Sequence, residues 1–385
     1  VFFKLRLRAR FFLKREKGER LKEVVLEGPV GPEITVWGKR YLFFGGTDYL
    51  GMAGRPEVLE GARRAIDRFG ISSSGSRISS GTNPLHLELE AAISRFTLCE
   101  DAVLLSSGYL GMTALLAAVG EREDRVFLQR EAHSSIKEAA AMSGMEIFEF
   151  SLEDLGSLEK LLSRPDPSGG KIILAAEGVS PLYGTIFPLK EVLRLLQDRD
   201  FLILLDDAHA FGVLGEQGRG TAEYHAEERP EVLSCATLSK AFGSFGGCVA
   251  GSRTLTEAIR KRALAYSCST PAPAPVVGAA LAAFEYLARN PGLIGRLHKN
   301  ARLLKDGLAG IGLPVDNRTV PIAPVCLDKP ERLEALAQKL LEAGILTPLT
   351  DYPGSPAGGL IRLAVSAAHS EDQISYLLSC LKRFI

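Results

Sequence analysis

Three residues near the middle of the chain are of types that could do covalent chemistry at a carbonyl. Lys240 closes the apolar and β-branched run from Val232 to Leu238, and four glycines follow it within a dozen residues. A lysine at the rim of a buried strand can be desolvated, lose its proton near neutral pH and attack a carbonyl to form a Schiff base. Upstream, the apolar run Phe201 to Leu205 ends in Asp206, with His209 three residues on. Such a run reads as a strand buried on both faces, and ligands of open α/β sheets bind at the carboxyl ends of such strands. A lysine for the aldehyde, an acid to keep a pyridine nitrogen protonated and a donor for a phenolic oxygen form the set that pyridoxal phosphate needs. Alone, each has a plainer reading, because a lysine in a glycine-rich loop is usually a surface residue. The combination points to chemistry.

Other stretches could complete a site. Ser106-Ser-Gly-Tyr109 opens an apolar helix read from Leu110 to Val119, and free backbone N–H groups at a helix start make a phosphate site. His133 stands after the strand Val126 to Gln129, where a lone histidine is more often structural than functional. The polar stretch Gly70 to Thr82 carries Ser76 and the single Arg77, and a helix from Leu85 to Phe96 follows at once. That arrangement reads as an ordered anion or substrate contact rather than a linker.

The elements that must position these residues alternate along the chain. Helices are expected over Pro56 to Phe69, Leu152 to Leu162, Leu189 to Gln197 and Val276 to Ala288, with buried strands between them, such as Lys171 to Ala176. This pattern predicts a mainly parallel sheet with helices on both faces. A smaller α+β domain should follow, with helices over Leu293 to Ala309, Glu331 to Ala343 and Glu371 to Phe384, and strands near Ile322 to Leu327 and Leu360 to Val365. The division read along the chain is an N-terminal arm (1–47), a large domain (48–285) and a small C-terminal domain (286–385).

Composition narrows the class. With 385 residues, 46% hydrophobic content and 39 glycines, the chain suits an α/β enzyme. Lys+Arg and Asp+Glu both number 46, so nothing draws the whole chain to nucleic acid. The six cysteines are scattered without a Cys-x-x-Cys pair, which argues against a disulfide framework or zinc site and makes a reducing cytoplasm the expected compartment. Residues 1–20 carry eight Lys or Arg against two Glu among Phe and Leu. This arm reads as packing on the body or on a partner subunit, with peripheral membrane contact as the alternative.

The motifs together resemble the α-oxoamine synthase family of pyridoxal-phosphate enzymes, which includes 8-amino-7-oxononanoate synthase, 2-amino-3-ketobutyrate CoA ligase, 5-aminolevulinate synthase and serine palmitoyltransferase. The resemblance runs from Asp48-Tyr-Leu-Gly51 through Gly75-Ser-Arg77 with Gly81, Thr82 and His86, Asp206-Asp-Ala-His209 and Thr237-Leu-Ser-Lys-Ala-Phe-Gly243 to Ser366-Ala-Ala-His369. It implies the aspartate-aminotransferase-like fold of fold-type I enzymes and a C-acyltransferase. Lys240 would carry the cofactor and move protons at Cα, Asp206 would pair with the pyridinium, His209 with the ring oxygen, and His133 would stack on the ring. Gly108 and Tyr109 would hold the phosphate through backbone N–H groups, helped by the hydroxyls of Thr237 and Ser239. Ser269 would reach the phosphate of a neighbouring subunit in a homodimer with shared sites. Arg362 would grip the amino acid's carboxylate, with Thr47, Ser76 and Arg77 also on the substrate side.

The implied reaction condenses a small amino acid (glycine, alanine or serine) with an acyl-CoA, usually with loss of CO₂. Two departures from the family's motifs bear on the substrate. Thr47 stands where Asn is usual, and Glu177-Gly-Val-Ser-Pro-Leu-Tyr-Gly184 places Pro181 and Tyr183 where Ser and an acid are usual. The alternatives are an aminotransferase or lyase on the same fold and a non-catalytic partner subunit. Retention of Lys240, Asp206 and His209 argues against the last.

Overall fold

The computed structural model describes residues 8–10, 24–164, 169–351, 355–356 and 358–385. The basic arm at 1–20 lies outside the described residues except for 8–10, which pair with residues 349–351. The chain divides into two compact units, one of residues 55–180 and 186–291, the other of 1–54, 181–185 and 292–385.

The larger unit is built on seven strands: β1 (Asp101–Leu105), β2 (Arg125–Gln129), β3 (Glu146–Phe150), β4 (Ile172–Glu177), β5 (Phe201–Asp206), β6 (Val232–Thr237) and β7 (Gly247–Gly251). They lie in the order β1-β7-β6-β5-β4-β2-β3, with β7 antiparallel to both its neighbours and the remaining pairs parallel. Side chains alternate between two apolar layers, as the two-residue period of a strand requires. Ile173, Ala175 and Leu204 enter a core with helices Gly111–Val119 and Ser134–Ser143, whereas Ile172, Leu174 and Leu205 enter another with helix Leu189–Leu196. Burial on both faces is why these strands read as unbroken apolar runs. The expected fold-type I architecture is present.

The structure also has elements that the pattern did not resolve. The glycine-rich stretch after Lys240 turns at Gly243 and Gly246 and then forms β7, and helix Ser134–Ser143 with β3 follows His133. The helix read from Leu110 begins with a tight 3₁₀ turn at Gly108–Leu110.

In the smaller unit, strands Arg8–Arg10, Leu349–Asp351, Leu360–Ala364 and Ile322–Val325 form an antiparallel sheet in that order. Helices Gly292–Gly310, Pro330–Glu342 and Glu371–Phe384 contribute Leu304, Leu336 and Leu377 to the core with Ile361 and Leu363 of the sheet. His369 stacks on Phe44, accepts the Ser366 N–H at Nδ1 (2.9 Å) and lies 3.1 Å from the Phe43 carbonyl at Nε2. Burial pushes its pKa down to about 4, so this motif histidine is a neutral clasp between two segments of the unit. Among the described residues, no helix is long and apolar enough to cross a membrane.

Candidate active site

Parallel strands that end side by side bring their last residues to one edge. Glu177 of β4 is paired in register with Asp206 of β5, and Asp206 with Cys235 of β6, five residues before Lys240. One aromatic cluster pins the two segments beyond these ends. Phe242 stacks on Phe284 with centroids 4.1 Å apart and packs against Phe211, two residues past His209, at 5.1 Å. Lys240 sits at the start of a turn closed by the Gly243 N–H on its own carbonyl, 2.9 Å away. Lys240, His209 and Asp206 are all half-buried.

The charges of this edge act on each other. Burial pushes the Asp206 carboxyl up, and Lys240, the Ala208 N–H (2.9 Å to Oδ1) and His133 restrain the rise. Burial lowers the pKa of His133, with Asp206 opposing and Lys240 reinforcing the shift, so its ring is neutral near pH 7. The ring is held as a helix cap, with Nδ1 accepting the Ser135 N–H at 3.1 Å. Glu177 had no role in the sequence reading, although as an acid ending a buried run it carries the same signal as Asp206. Its Oε1 accepts the His133 N–H at 3.0 Å. Burial and then the Asp206 charge push its pKa up to about 8, so Glu177 keeps its proton at neutral pH.

A second cluster suits an anion. A Cβ on Gly108 would come 2.6 Å from that of Thr237, so only glycine lets the Ser106–Gly111 turn approach β6 this closely. Ser107 Oγ accepts the Tyr109 N–H at 3.3 Å, and the Thr237 and Ser239 hydroxyls lie 2.7 Å apart. Ser269 Oγ is 3.3 Å from Ser106 Oγ within the same chain. A turn opening a helix, edged by hydroxyls, fits a phosphate, and the lysine and acid at the neighbouring strand ends fit a pyridine aldehyde. The larger unit therefore accommodates pyridoxal phosphate.

The substrate-side residues divide. Arg77 is 7% exposed and forks onto Glu90 at 2.9 and 3.0 Å, while its Nε donates to Thr82 Oγ1 at 3.0 Å. The Arg77 guanidinium thus already has a carboxylate within the unit, and it orders the loop. Ser76 Oγ lies 3.3 Å from Ser79 Oγ, and the Thr47 carbonyl accepts the Tyr49 N–H at 2.8 Å. Arg362 belongs to the smaller unit, on strand Leu360–Ala364.

Comparison with known proteins gives one answer. The family model for aminotransferase class I and II matches residues 40–381. 8-Amino-7-oxononanoate synthase of Trichlorobacter lovleyi is 34% identical over 355 residues, covering 91% of this chain and 90% of its own. A serine palmitoyltransferase structure with pyridoxal phosphate as internal aldimine superposes with a TM-score of 0.88 at 29% identity, over 94% of this chain and 92% of that one. The Sphingomonas wittichii serine palmitoyltransferase does so with a TM-score of 0.88 at 29% identity, over 94% and 91%. The chain belongs to the aminotransferase class I and II family. The resemblance to the α-oxoamine synthases read from the motifs holds, and the cofactor is pyridoxal phosphate.

Proposed function

We propose that this protein is a C-acyltransferase that joins a small amino acid to an acyl-CoA and releases CoA, with loss of CO₂ in the decarboxylative form. The observation that carries the reading is the meeting of Lys240, Asp206 and His133 at the carboxyl edge of the sheet, in a chain 34% identical to an 8-amino-7-oxononanoate synthase.

Pyridoxal phosphate, when bound, supplies an electron sink that lets a bond at the amino acid's Cα break with its electrons left behind. Lys240 holds the cofactor and, once the substrate amine takes its place, moves the proton at Cα. Asp206 supplies the fixed negative charge for the ring nitrogen, beside a protonated Glu177 that does not compete for it. His209 donates to the ring oxygen, and His133, neutral and capped by Ser135, offers a flat face for stacking. The N–H groups of Gly108 and Tyr109 and the hydroxyls of Thr237 and Ser239 hold the phosphate. Arg362 binds the amino acid's carboxylate.

A homodimer in which Ser269 serves the neighbouring site is part of this reading. Thr47, Pro181 and Tyr183 set the substrate apart from the family's usual one.

The test crosses glycine, alanine and serine with short, dicarboxylic and long acyl-CoAs and follows the CoA thiol. CoA release that needs both an amino acid and a thioester is expected. Amino-group transfer to a 2-oxo acid with no CoA release from any pair would overturn the proposal.

A further inference from the structure

The smaller unit holds an arginine as deeply buried as Arg77 but surrounded by groups of another kind. Arg362 is 7% exposed. Its Nε donates to the Pro181 carbonyl at 2.5 Å and its Nη2 to the Tyr49 hydroxyl at 3.0 Å. Both acceptors are uncharged, since burial pushes the Tyr49 phenol above its ordinary value and Arg362 only partly offsets this. Among the described residues no carboxylate pairs with Arg362, whereas Glu90 neutralises Arg77. A guanidinium taken from water and given neutral acceptors keeps its full charge, which is costly until an anion meets it.

The same two bonds select an edge. A guanidinium offers five N–H donors in one plane and can fork onto a carboxylate through its Nε/Nη2 side or its Nη1/Nη2 end. Here the side is taken. The groups that take it are themselves pinned: Tyr49 is 1% exposed and its carbonyl accepts the Ala367 N–H at 2.7 Å, while Asp48 beside it accepts the Met52 and Ala53 N–H groups at 2.7 and 3.1 Å. The Pro181 turn closes at Gly184, whose carbonyl accepts Asn317 Nδ2–H at 2.8 Å. Of the departures from the family's motif, Pro181 therefore touches this arginine through its own carbonyl.

We infer that Tyr49 and the Pro181 carbonyl are positioning groups for Arg362: by occupying its Nε/Nη2 side they make it meet the substrate carboxylate end-on, through Nη1 and Nη2. The inference rests on the reading of Arg362 as the carboxylate-binding residue.

The experiment uses the holoenzyme and follows the cofactor's absorbance while glycine, alanine, serine or 2-aminoethanol, an amine without a carboxylate, is added. Tyr49→Phe should weaken the three amino acids alike, by roughly threefold to tenfold for one hydrogen bond, and leave 2-aminoethanol unchanged. Unchanged 2-aminoethanol binding also shows that the variant is folded and loaded. In an Arg362→Ala background the same substitution should add nothing, because the group it positions is gone. If Arg362→Ala itself binds the amino acids like the parent, the carboxylate reading fails. If Arg362→Ala is weak while Tyr49→Phe matches the parent, or if Tyr49→Phe weakens 2-aminoethanol equally or adds its loss to Arg362→Ala, the positioning role is overturned.

Discussion

At the scale of single residues, environment assigns the role. Asp206 and Glu177 end adjacent strands in register, yet Glu177 holds a proton to about pH 8, while Lys240 favours the charge on Asp206 against the rise that burial causes. Replacing Asp206 by Asn keeps the shape and leaves an oxygen for the Ala208 N–H but removes that charge. Turnover should fall by on the order of 10²-fold or more, the scale set by losing a preorganised electrostatic group, with the thermal midpoint little changed. Near-parental turnover in Asp206→Asn would show that this acid only finishes its strand. Residue types were legible without a structure: Lys240, Asp206, His209 and His133 each stood out at the end of an apolar run. Environment was not. Nothing local distinguishes Arg77, closed by Glu90, from Arg362, held by a carbonyl and a phenol, because those partners are remote in sequence.

At the scale of elements, one buried pair joins three of them. Glu90 on helix Pro84–Thr97 receives Arg77 from the polar loop and also accepts the Leu104 N–H of β1 at 2.9 Å. Glu90→Gln leaves the guanidinium buried against a neutral partner, which should cost about 3–5 kcal/mol. Urea unfolding measures it, and a loss below about 0.5 kcal/mol, within the surface range, would mean that the pair is dispensable. Elements with strong local signals were legible. Helices Pro56–Phe69 and Glu371–Phe384 lie where their apolar spacing put them, one with Pro at its first position and the other with Ser370 and Gln373 forming a capping box. Strand β7 was hidden because Gly-Cys-Val-Ala-Gly has almost no strand character of its own; Leu104 and Ala236, its neighbours across the sheet, define it.

At the scale of the whole molecule, the chain enters its smaller unit three times, through residues 1–54, 181–185 and 292–385. A division made along the chain cannot show that membership, since no composition shift marks the short stretch that carries Pro181 and Tyr183. Asp48-Tyr-Leu-Gly51, read at the head of the large domain, and Ser366-Ala-Ala-His369, read in the small one, both fall in this unit. The fold was thus legible from alternation and motif, while the partners of each site residue required the structure. If this architecture delivers one lysine to pyridoxal phosphate, covalent trapping will reveal which one. Borohydride reduction of the intact holoenzyme, followed by digestion and peptide mapping, should place the cofactor on Lys240 and on no other lysine. Label on a different lysine, or a reduced protein that carries none, would contradict the account.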